Sequence, residues 1–91
     1  MEKFFIRETA TTTKEVEGEL VSIPGCCKAF INKTATGWFV VSEFSSGYRI
    51  GNGETKKMAI KEASAKIAMV GQEKFAKMIS DAVEKHGVAN K

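Results

Sequence analysis

The chain has one histidine, one proline, one tryptophan, one tyrosine and two cysteines that are neighbours. His86 is far in sequence from Cys26 and Cys27, so no nucleophile, base and orienting group can be assembled from them. An enzyme is not expected. Adjacent cysteines seldom bridge each other, because the small ring strains the intervening peptide. Cys26 and Cys27 are therefore expected to be reduced thiols that fill structure, not a redox or metal pair. Metal-ligand spacings are absent, and no metal, cofactor or small-molecule substrate is expected. Long apolar runs are missing as well. No stretch approaches the length of a membrane span, and the opening MEKFFIRET lacks a signal-peptide core. The expectation is a cytoplasmic protein with no membrane contact.

What is present fits one globular domain over residues 1–91. The chain is 43% hydrophobic and 27% charged, which supplies a single modest core and argues against disorder. The formal net charge is +3. Residues 1–50 hold six Lys/Arg against six Asp/Glu, whereas residues 51–91 hold eight against five. The basic excess sits wholly in the second part, which is compatible with a polyanionic partner.

Period-two patterning marks the strands. Lys3 to Glu8 reads as a first strand, with Phe4 and Ile6 on one face and Phe5 on the other. The polar, β-prone segment Thr9 to Thr13 suits a strand extension or a hairpin arm. Lys14 to Glu19 reads as a turn or solvated edge, with a short helix over Thr12 to Glu19 as the competing reading. Leu20 to Ile23 reads as a second strand, closed by the Pro24-Gly25 turn signal. Lys28 to Lys33 and Trp38 to Phe44 follow as strands around a turn at 35–37. Both faces of the latter are largely apolar, so it is expected to be central, covered by helix on one side and partly by N-terminal chain on the other. Ser45-Ser46-Gly47 makes a hairpin turn into a strand beginning at Tyr48.

Gly51 and Gly53 are expected to form a tight turn that permits close backbone approach, and Thr55 is a suitable N-cap. Ala59, Ile60, Ala63, Ile67 and Val70 then recur at helical spacing, with Gly71 as a cap or hinge. A second amphipathic helix carries Phe75, Met78, Ile79, Ala82 and Val83 on its stripe. Gly87 stops it, leaving 87–91 as a frayed tail. The predicted fold class is α+β. An antiparallel sheet of four or five strands carries two C-terminal amphipathic helices packed on one face; residues 1–27 are extended, 28–53 are strands and 55–86 are helical.

Lys56, Lys57 and Lys61 cluster at the start of the first helix, where the dipole prefers anions. That arrangement suits a helix that receives a phosphate at its N-terminus, against the plainer reading of a solvated face. The Gly51–Gly53 stretch lacks the remaining glycines of a P-loop or a dinucleotide fingerprint. Glu15, Glu17 and Glu19 would share one face of a strand, and a solvated edge that resists sheet-to-sheet pairing explains them better than a metal or acid–base site.

The order strand, turn, strand, turn, strand, followed by Gly-x-Gly-x-Thr-Lys-Lys-x-Ala at 51–59 and by Ala63, resembles the C-terminal half of the double-stranded-RNA-binding domain over roughly residues 28–69. The resemblance implies that Lys56, Lys57 and Lys61 contact duplex phosphates and that A-form geometry, not base sequence, is read. The chain also resembles in type the small proteins of phages and mobile elements that inhibit host nucleases or CRISPR complexes by contact with a protein. Under that alternative Trp38, Tyr48 and Arg49 are the candidate interface residues, whereas the plainer reading buries Trp38 and Phe44 in the core.

Overall fold

Apolar residues two apart, such as Ala29 and Ile31, mark the strands before Thr55, and the three-and-four spacing after it marks the helices. The computed structural model describes residues 2–9, 11–24 and 28–91. The strands are β1 (Glu2–Arg7), β2 (Thr13–Val21), β3 (Ala29–Lys33), β4 (Phe39–Glu43) and β5 (Arg49–Gly53). Two helices follow, α1 (Lys56–Val70) and α2 (Gln72–His86). The strands form one antiparallel meander in the order β1-β2-β3-β4-β5. This is the α+β arrangement indicated by the sequence.

One face of the sheet packs on the helices. Ala29 and Ile31 of β3, Val41 of β4 and Ile50 of β5 meet Ala59, Ala63 and Ile67 of α1 and Phe75 of α2. Ile23, in the loop after β2, is buried in the same cluster. The first helix lies mainly over β5 and partly over β4. Gly51 and Gly53 make that approach possible. They are strand residues of β5 and not the tight turn expected of them. A Cβ on Gly51 would stand 2.6 Å from the Ala63 backbone nitrogen, and one on Gly53 would stand 2.7 Å from that of Ala59. Their missing side chains let the helix backbone press onto the strand.

The other face curls on itself. Phe4 of β1 stacks on Phe30 of β3 with ring centroids 4.5 Å apart, and Phe44 meets Phe4 edge-on at 6.1 Å. Strands two apart in a flat sheet lie about 9.5 Å from each other, so the β1–β2 hairpin must fold over β3. Gly18, opposite Asn32, stands at the bend; a Cβ there would lie 2.3 Å from the Ile31 carbonyl oxygen. The curl brings β1 to the β4–β5 turn, where the Arg7 backbone N–H donates to Gly47 O at 2.9 Å.

Two further expectations change. The segment Lys14 to Glu19 is neither turn nor helix but part of β2, paired with β1 up to Gly18 and with β3 from Gly18 onward. Its charged composition concealed a strand because Glu15, Glu17 and Glu19 lie on the face of the sheet that carries the helices, with Glu19 opposite Ile31, but out beyond the strands that α1 covers. The end of the chain is tied down, not frayed. The Asn90 side chain accepts from Phe5 N at 2.7 Å and donates to Phe5 O and Phe44 O, both at 2.8 Å. Ala89 N donates to Ser45 O at 2.7 Å. The two bonds to Phe5 cap backbone groups on the outer edge of β1, a site otherwise open to edge pairing. The expected roles of Cys26 and Cys27, and Gly25 of the turn signal, lie outside the described residues.

Candidate nucleic-acid interface

The start of α1 is fixed by its cap. Thr55 is extended (φ −129°, ψ 162°), and its Oγ1 accepts from Met58 N at 3.1 Å. No acidic residue occupies the first turn. Lys56, Lys57 and Lys61 are all exposed, but they are not equivalent. Lys56 Nζ bonds Glu19 Oε1 at 2.5 Å, reaching over the sheet to β2. Lys57 and Lys61 make no ion pair among the described residues. Glu62, beside them in sequence, is turned to the edge of β5 and accepts from Asn52 N at 3.2 Å. Two of the three cations therefore stand free at the helix start, and the third is shared with a carboxylate.

Strand register adds residues that sequence reading missed. Lys33 pairs with Phe39, and Phe39 pairs with Gly53, which leads into Thr55 and α1. Lys33 Nζ stands 5.8 Å from the Phe39 ring centroid. The β3–β4 turn, closed by Thr34 N to Trp38 O at 2.7 Å, lies at this same end of the sheet. Trp38 is 45% exposed, so the core reading fails for it. The turn at 35–37 alone would have set Lys33 opposite Phe39, and the pairing to Gly53 was the missing step. Met58 is also exposed here, its Cβ being 2.8 Å from the position a Cβ on Gly53 would take. An indole, a thioether and the ammonium groups of Lys33 and Lys57 thus belong to one end of the molecule.

The candidate interface trio is not brought together. Arg49 opposes Ser42 and Tyr48 adjoins it, at the far end of β5 from Trp38. Tyr48 is half-buried and Arg49 exposed. Glu15, Glu17 and Glu19 do share one face of β2, beyond the cover of α1. With Lys3 ion-paired to Glu15 at 3.8 Å and Lys56 bonded to Glu19, the acidic row is partly neutralised but stays unfavourable to a polyanion.

Among the described residues no group of three or more His, Cys, Asp or Glu side chains could hold a metal ion, and no helix is long and apolar enough to cross a membrane. No family model matches this chain, and neither curated proteins nor solved structures give a significant match to it.

Proposed function

We propose that the protein is a non-enzymatic, cytoplasmic binding domain that contacts nucleic-acid phosphates through the start of α1. The observation that carries the reading is that Lys57 and Lys61 stand free on the exposed side of the start of α1, which begins at the end of the sheet that also holds Lys33 and exposed Trp38. Backbone amides at a helix start and unpaired ammonium groups attract phosphate together. An exposed indole adds a flat surface on which a base or sugar can rest. Lys56 contributes less, because binding must compete with Glu19. The resemblance of residues 28–69 to the double-stranded-RNA-binding domain points to duplex RNA as the polymer.

A second reading has an observation of its own. Trp38 and Met58 are apolar, exposed and close to lysines, a composition that also anchors protein interfaces. Under it the domain is an inhibitory or regulatory module that occupies a protein surface. Charge reversal separates the two. Lys57→Glu with Lys61→Glu is expected to abolish binding to duplex RNA at low salt while circular dichroism stays unchanged. Undiminished binding by the folded double variant would refute the phosphate reading, and absence of duplex binding by the unaltered protein would favour the protein partner.

A further inference from the structure

The curled face of the sheet holds a cleft of about 560 Å³, within the range of small-ligand sites. Asn32 and Ser42 line it, and they are 6% and 1% exposed. The Asn32 amide oxygen and the Ser42 hydroxyl have no hydrogen-bond partner among the described residues. Buried polar atoms are seldom left unpaired, since each forfeits its hydration without return. Valine or leucine would suit both strand positions better if packing alone mattered.

The walls add a pattern. Ile6 and Val40 supply apolar surface on either side, and Arg49 and Lys66 bring two cations that have no ion pair among the described residues. Arg7 also lines the cleft, but its guanidinium is held by Ser46 O and Gly87 O. Glu8 is the sole carboxylate among the lining residues. The site therefore asks for three things in one molecule: hydrogen-bond donors for the floor, flat apolar faces for the walls and an anionic group for Arg49 and Lys66. A nucleobase carries N–H donors on its edge and apolar ring faces, and its phosphate supplies the charge.

We infer that this cleft is a second binding site, for a single nucleotide whose base edge reaches Asn32 and Ser42 and whose phosphate meets Arg49 and Lys66. It is separate from the duplex reading, because neither Lys57 nor Lys61 takes part. The test is titration of the full chain with each of the four ribonucleoside 5′-monophosphates, and separately with inorganic phosphate, followed by amide chemical shifts. Saturable shifts at residues 32, 40, 42 and 49 are expected at up to about millimolar nucleotide. Asn32→Leu should weaken that binding at least about tenfold while raising the melting temperature. Should Asn32→Leu not fold, Ser42→Ala and the pair Arg49→Gln with Lys66→Gln serve the same purpose. The inference is overturned if no nucleotide gives saturable shifts at these residues, if phosphate alone reproduces them, or if the folded variants bind as the unaltered protein does.

Discussion

Glu43 is wholly buried at the end of β4, yet it is not an orphaned charge. Its carboxylate accepts from Ser45 N at 2.9 Å, from Ser46 N at 2.8 Å and from the Ser45 hydroxyl at 2.9 Å. The turn that joins β4 to β5 is thus wound around a side chain, and the same turn receives β1 through Gly47. Glu43→Ala would strand two backbone donors in a dry site. We expect it to lower stability by about 3 kcal/mol in urea unfolding, against about 1 kcal/mol for Ser45→Ala, which leaves both backbone bonds in place. Asn90 plays a similar part at the other end of the chain. Asn90→Ala removes three bonds to Phe5 and Phe44, and a loss of about 2 kcal/mol is expected, together with faster amide exchange at Phe5. Neither role was legible in the sequence. Glu43 sat in an alternating row of strand residues, and Asn90 followed a glycine stop, where polar residues usually meet solvent.

At the scale of elements, hydrophobic spacing was a good guide wherever one face of an element met the helix-covered core. The apolar stripe of α1, its Thr55 cap and the Gly71 end all follow from residue type, and Gly71 N donates to Ile67 O at 2.8 Å as a C-terminal cap should. β4 is an interior strand as expected, between β3 and β5, with α1 on one face, and Phe44, which follows it, meets Phe4 on the other side. The pattern was misleading where an element faced the core on one side without helix cover. In β2 the side turned to the curled face is Val16, Gly18 and Leu20, of which only Gly18 is fully buried, while the glutamates lie on the helix-side face beyond α1, so the strand read as a charged turn. Gly51 and Gly53 were misread for a related reason. Glycine marks either a bend or a close approach, and only the position of α1 tells which. Gly51→Ala and Gly53→Ala test this directly. Each should destabilise the domain by about 3 kcal/mol or more, because the added methyl meets helix backbone that cannot swing aside. Thr55→Ala, which removes one capping bond and no packing, should cost about 1 kcal/mol. Thermal unfolding of the three variants would rank them, and a Gly51→Ala protein as stable as the unaltered chain would contradict the packing described.

The whole molecule is polar in the electrical sense. Its acidic row on β2 lies on the part of the sheet that α1 leaves bare, and its free lysines stand on the helix that starts where β3 and β5 end and β4 begins. A polyanion is therefore offered one approach and resisted on another. Lys56 stands on the boundary, and Glu19→Gln should release it and strengthen duplex binding modestly, by about two- to threefold at low salt. Trp38 is the only tryptophan and belongs to this same end, so its emission reports on the proposed contact without any label. The most direct measurement is titration of Trp38 fluorescence with duplex RNA over a series of salt concentrations. The account predicts a saturable change in emission whose affinity falls steeply with salt, and a slope that becomes shallower by roughly two when Lys57 and Lys61 are both changed to Gln. Emission unmoved by duplex RNA, or a slope unaltered by those two substitutions, would contradict it.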